Sequence, residues 1–153
     1  MNAAKHEIAE DLFATVGGLG SNTDLATVER GLTDHALQSG IELRNHTPLV
    51  IMLRHTNGAT VGGLIGDTVW GWLQIKQLWI AQEFRRRGLG RELLLLAEGE
   101  AAKRGCHHAM LDTFDFQALS LYERLGYEVF GRLDDFPRGH SRFFLAKKLE
   151  RTG

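Results

Sequence analysis

The sequence predicts an α/β fold: a mixed, mostly antiparallel sheet with a parallel strand pair at its centre and helices flanking it. Three observations carry this. Residues 48–55 and 60–70 are rich in strand formers and are joined across Asn57-Gly58, a strong hairpin signal, so the early sheet is antiparallel. Residues 73–80, a basic glycine-containing loop, a helix after Gly90 and a strand over 106–114 form a strand–helix–strand crossover, whose two strands run parallel. Residues 127–133 and 141–149 flank a loop with Pro137 and Gly139 and close the sheet as an antiparallel hairpin.

Taken in order, residues 12–16 form a first strand, ended by the glycine-rich segment 17–20. Ser21 to Asp24 offer N-cap side chains, and Leu25, Val28, Leu32, Ala36 and Leu37 recur at helical spacing to about residue 39. Gly31 in their midst leaves one bent helix or two short ones open, and Gly40 ends the segment. In the strand over 60–70, Gly62, Gly63 and Gly66 indicate bulges or a close approach of another backbone. The helix after Gly90 runs to about residue 104, with Leu93, Leu94, Ala97 and Ala101 as its apolar face, and Gly105 closes it. A second helix covers 116–125 and stops at Gly126.

The 153 residues suit one domain, 1–153, with a real hydrophobic core. The formal net charge of −1 provides no global field to recruit nucleic acid or a membrane surface, so neither is expected as a partner. Basic character is local, at residues 85–91. The N-terminus lacks a signal-peptide core, and the longest strongly apolar run, near 93–97, is far too short to span a bilayer. Cys106 is the sole cysteine, which excludes an internal disulfide and suits a cytoplasmic location; a buried, inert thiol is its expected state.

The segment 74–97 organises the chain. Gly88 and Gly90 let the backbone turn sharply beside three arginines, and the following helix presents unpaired N–H groups and the positive end of its dipole. This is an anion site suited to a phosphate or pyrophosphate. No Gly-Lys-Ser/Thr follows, so it is no P-loop, and the glycines fit only part of the dinucleotide fingerprint. Residues 85–90 do fit R-x-x-G-x-G. Downstream, Ala118-Leu119-Ser120-Leu121-Tyr122-Glu123-Arg124-Leu125-Gly126-Tyr127 fits A-x-x-[LF]-Y-x-x-x-G-[FY]. On a strand–helix–strand frame, the two together resemble the GCN5-related N-acetyltransferase (GNAT) family over about residues 48–149. Phe116-Gln117-Ala118 and Asp135-Phe136-Pro137-Arg138-Gly139-His140 are similar to a bacterial subgroup with F-Q-A and D-x-P-x-G-H signatures.

The resemblance implies acetyl-CoA as cosubstrate, an amine as acceptor, and a central parallel pair splayed to admit the pantetheine arm. It places that arm along the backbone of Leu78, Trp79 and Ile80, and the pyrophosphate against Arg85, Arg86, Arg87, Gly88, Leu89, Gly90 and Arg91. Gln117 stands where the family often has an asparagine that touches the arm. Tyr122 matches a tyrosine that often assists the departing thiolate, since a phenol can donate a hydrogen bond or a proton to it. The residue matching the histone-acetylating branch's general base is Gln74, and an amide cannot take a proton at neutral pH. His140 is the alternative base, since an unperturbed imidazole titrates near neutrality; a water relay is another.

Core packing explains Trp70, Trp72 and Trp79 more simply than an acceptor pocket does. His107 and His108 are strand neighbours that point to opposite faces, so no shared metal site is expected. The resemblance implies an enzyme acting by direct attack in a ternary complex, on an acceptor expected to be a small molecule, and leaves homodimerisation open. The competing reading is a non-catalytic acyl-CoA sensor, which Gln74 favours and Tyr122 disfavours.

Overall fold

The computed structural model describes residues 4–17, 20–42 and 46–150. They form two compact units, one within residues 1–43 and one within 44–153.

In the first unit, strands β1 (Ala4–Ala9) and β2 (Leu12–Val16) pair as an antiparallel hairpin, with Asp11 at φ 62° in its turn. The sequence indicated β2 but not β1, whose Lys5, His6, Glu7 and Ile8 carry no apolar alternation. Gly18 and Leu19, in the glycine-rich segment expected to end the strand, lie outside the described residues. Helix α1 (Asn22–Gln38) is a single helix that runs through Gly31. The Ser21 hydroxyl caps it by accepting from the Asp24 N–H at 3.1 Å.

The second unit holds a six-stranded sheet of order β3-β4-β5-β6-β8-β7. Its strands are β3 (Thr47–Arg54), β4 (Thr60–Val69), β5 (Trp72–Ile80), β6 (His108–Phe114), β7 (Glu128–Asp134) and β8 (Ser141–Lys148). β5 and β6 are parallel and every other neighbouring pair is antiparallel; the sequence predicted the antiparallel β3-β4-β5 run, the parallel pair and the β7–β8 hairpin, and the β6–β8 pairing that joins them is new. Helix α2 (Leu89–Lys103) crosses over between the parallel strands and packs on β3, β4 and β5. Helix α3 (Leu119–Arg124) is shorter than expected, because residues 115–118 form a turn before it.

The core lies between α2 and one face of the sheet, where Leu49, Leu64, Leu73, Leu94, Ala97, Ala109 and Leu145 are fully or almost fully buried. Cys106 belongs to it, and burial pushes its thiol up, as expected of an inert cysteine. Among the described residues no helix is long and apolar enough to cross a membrane.

One irregularity positions everything that follows. Ile65 pairs with Gln77 and Gly66 with Ile75, so Lys76 is an extra residue bulged out of β5. Gly66 is required opposite it: a Cβ there would stand 2.3 Å from the Gln74 carbonyl oxygen. The buried Asp67 carboxylate bonds to the Lys76 ammonium and to His46 Nδ1, tying the bulge to β4. Immediately before the bulge the β5–β6 ladder stops: its register runs from Trp72 with His108 to Ile75 with Leu111 and no further. Beyond it the two parallel strands part.

Candidate active site

The parting of β5 and β6 opens a cleft of about 890 Å³. Its walls are the last half of β5 (Leu78, Trp79, Ile80), the last paired residue of β6 and the one after it (Leu111, Asp112), the loop into α2, and one side of α3. Of the residues singled out from the sequence, Leu78, Trp79, Ile80, Arg85, Arg86, Gly88, Leu89, Gly90, Arg91, Gln117 and Tyr122 line it together. Arg87 and His140 do not.

At the basic end, Arg86 (φ 62°) and Gly88 (φ 73°) both take left-handed backbone, which turns the chain tightly into α2. No atom would meet a Cβ on Gly88 within 4 Å, so its glycine answers to the backbone angle and to the open space before it. Gly90 has the opposite reason: a Cβ there would press on Leu121 at 3.3 Å, so the first turn of α2 can sit against α3 only without a side chain.

The arginines divide by what they already hold. Arg85 Nε donates to the Ile80 carbonyl at 2.8 Å and so closes the end of β5. Arg87 Nη2 donates to the Glu83 carbonyl at 3.2 Å, with its guanidinium 5.2 Å from the Phe84 ring centre. Arg91 pairs with Glu92 at 3.1 Å. Arg86 makes no hydrogen bond or ion pair among the described residues and borders the cleft.

The same cleft is lined by Tyr122 of α3, 7% exposed, with its ring edge-on to Tyr127 at 6.1 Å. Its hydroxyl finds no hydrogen-bond partner among the described residues. Burial, and after it the Asp112 carboxylate, push the phenol up to about 12, so it stays an O–H donor at neutral pH. Gln117 accepts at Oε1 from the Thr113 hydroxyl at 3.1 Å and the Phe114 N–H at 3.3 Å, leaving its amide nitrogen for other contacts.

His140 lies in the loop after β7. Its Nδ1 is 2.9 Å from Asp115 Oδ1, and its ring stands edge-on to Phe116, which does border the cleft. Asp135 caps that loop by accepting from the Gly139 N–H, while Asp134 is held by Arg132 and Ser141, so both acids serve local structure. The tryptophans depart from the expected core packing: Trp70 and Trp79 are 56% and 54% exposed. Trp70 and Trp72 line a smaller apolar pocket of about 440 Å³ with Gln74, Met110 and Phe130. Trp72 stacks on His108 at 4.6 Å.

The sequence reading passed over Asp112. It is the single acid among the described residues lining the cleft, and Arg142 holds it through Nε and Nη2, each 2.7 Å from its Oδ2. A signal was present: in β6, His108, Met110, Asp112 and Phe114 alternate with the buried Ala109, Leu111 and Thr113, which put one acid on the face away from the core.

Residues 22–127 match the family described as Acetyltransferase (GNAT) family. An acetyltransferase of Agrobacterium fabrum is 39% identical over 101 residues, covering 66% of this chain and 74% of the relative. The blasticidin-S acetyltransferase of Streptomyces morookaense is 38% identical over 93 residues, covering 60% of this chain and 68% of its own. A crystal structure from Agrobacterium tumefaciens superposes with a TM-score of 0.79 at 31% identity, covering 88% of this chain and 98% of that one. This chain belongs to the GNAT acetyltransferase family, as an acetyl-transferring enzyme whose cosubstrate is acetyl-CoA.

Proposed function

We propose that the protein is an N-acetyltransferase that moves acetyl from acetyl-CoA to the amine of a small molecule by direct attack in a ternary complex. The observation that carries this reading is the end of the β5–β6 ladder at Ile75 and Leu111, which leaves one cleft lined by both the basic glycine loop and the Tyr122 phenol. The family match crosses both compact units, which supports reading residues 1–153 as one acetyltransferase domain.

The residues present fit acetyl-CoA. The free edge of β5 at Leu78 and Trp79 offers backbone groups to an amide-bearing arm, whereas the Ile80 carbonyl is already taken by Arg85. N–H groups at the start of α2, from Leu89, Gly90 and Arg91, suit a pyrophosphate, as does Arg86, which has no partner among the described residues. Arg85 and Arg87 shape the loop through their backbone bonds, and the Gln117 amide nitrogen is placed to steady the arm. Bound acetyl-CoA supplies a thioester whose sulfur departs as a thiolate.

Tyr122 serves that departure by hydrogen bonding. A phenol near 12 holds its proton more tightly than a thiol of ordinary pKa, about 8.5, so it donates a bond to the thiolate without surrendering the proton. With Cys106, the sole thiol of the chain, buried in the core, no covalent enzyme intermediate is invoked. A small-molecule acceptor is favoured by the 38% identity to an enzyme named for blasticidin S.

The test is release of free CoA thiol from acetyl-CoA with a panel of small amines, antibiotic amines and peptide N-termini. Amine-dependent release is expected. Acetyl-CoA binding without release for any amine would leave the acyl-CoA sensor in its place.

A further inference from the structure

We infer that Asp112 receives the acceptor amine and takes its proton, with Arg142 as the residue that positions it. The inference rests on the acetyltransferase reading above and adds the group that reading lacks. An amine must shed a proton as it becomes an amide, so a proton acceptor has to reach the cleft. Gln74 cannot serve, and His140 does not line the cleft and is bonded to Asp115.

Asp112 meets each requirement. It is the first residue of β6 beyond the last paired rung, Leu111 with Ile75, so it stands at the fork of the parallel strands. It borders the same cleft as Tyr122 and is the one acid among the described residues that does. Its Oδ2 is engaged twice by Arg142, while its Oδ1 has no hydrogen-bond partner among the described residues. Arg142 is itself fixed, its guanidinium carbon lying 5.6 Å from the ring centre of Phe114, 4.9 Å from that of Phe136 and 5.1 Å from that of Phe144. Asp112 is paired across the ladder with Phe144, and Phe114 with Arg142, so pair and rings share one sheet face. One carboxylate oxygen is therefore oriented and the other is left for a ligand. The ligand chemistry is a primary amine that arrives as an ammonium ion.

The step balances. Asp112 Oδ1 binds the ammonium, which gives up one proton to solvent to free its lone pair. The nitrogen attacks the acetyl carbonyl carbon, the new C–N bond forms, and the C–S bond breaks with its electron pair leaving on sulfur. A second N–H proton passes to Asp112. The thiolate, hydrogen-bonded to Tyr122, takes a proton from solvent, and Asp112 returns its own to solvent.

The experiment uses the full chain and an amine that the wild type acetylates; a wild type that turns over no amine ends the acetyltransferase reading itself. Asp112→Asn is expected to lower kcat/KM for that amine by about 10²- to 10⁴-fold. Its affinity for acetyl-CoA should stay within about twofold, and calorimetric binding of the amine to the free protein should weaken. In Asp112→Ala, added formate should restore part of kcat, which a merely structural carboxylate would not allow. Arg142→Lys keeps the charge but loses the forked contact and should raise KM for the amine more than it lowers kcat. Wild-type kcat and amine affinity in a folded Asp112→Asn protein would overturn the inference. So would a lost kcat in His140→Ala beside a retained one in Asp112→Asn, which returns proton acceptance to His140.

Discussion

Tyr122 and Tyr127 sit five positions apart at either side of the end of α3, with their rings edge to face, and both are almost fully buried. Their surroundings differ in one respect. The Tyr127 hydroxyl donates to Glu98 on α2 at 2.9 Å, and Glu98 also accepts at both oxygens from Lys147 at 3.0 Å, so this side is a closed polar network under the sheet. The Tyr122 hydroxyl meets no partner among the described residues, and Tyr122 lines the cleft. The Tyr122 ring is buried while its oxygen keeps access to the open cleft, so the donor is available to a ligand. Burial alone therefore does not mark a functional tyrosine; the unmet donor beside open space does.

The largest expected effect breaks the comparison on the cleft side. Tyr122→Phe removes the donor that the departing thiolate would use, and kcat should fall by about 10²- to 10³-fold while the melting temperature holds or rises. A destabilised Tyr122→Phe with normal kcat would assign it to the network instead. Next, Tyr127→Phe should leave kcat near wild type and cost about 1.5–3 kcal/mol in urea unfolding, since Glu98 keeps Lys147 but loses its neutral donor. A smaller contrast separates the arginines. Arg86→Ala should weaken acetyl-CoA binding about tenfold by calorimetry, the loss of one hydrogen bond to a charged group, and Arg87→Ala by much less. The reverse order would mean that the loop rearranges to release Arg87 from Glu83.

The smallest effect concerns both tyrosines at once, and they are the only two in the chain. Burial, then nearby carboxylates, raise both phenols, Tyr122 to about 12 and Tyr127 further. The unfolded chain loses these protons near pH 10, so the folded form's advantage is full below that and falls as pH rises through about 12. Phenolate absorbance should stay flat through pH 10 and appear with loss of the fold. A reversible rise centred near 10 in the folded protein would put one of the rings in water.

Legibility followed the continuity of the pattern along the chain. The glycine loop and the tyrosine motif are local patterns, and the crossover, although it spans residues 73–114, is strand, loop, helix and strand in unbroken succession, so its elements and its parallel pairing came out as read. The bulge at Lys76 was signalled only by Gly66, because the residue it displaces lies in a different strand. The Asp112–Arg142 pair joins residues 30 apart through the β6–β8 register, which no local pattern prints. The arginines illustrate the same limit: four cations in seven residues look alike in sequence, and only their backbone partners distinguish Arg86 from Arg87. The exposed Trp70 and Trp79 show that large apolar side chains do not by themselves announce the core.

If acetyl-CoA occupies the cleft where β5 leaves β6, a thermal shift with acetyl-CoA on wild type and Gly88→Trp will show it. A ligand that binds only the folded chain must raise its melting temperature. A clear rise is expected for the wild type and none for Gly88→Trp, where a residue with a bulky side chain would have to adopt left-handed backbone in the loop. No rise for the wild type at saturating acetyl-CoA, or an equal rise in both proteins, would contradict it.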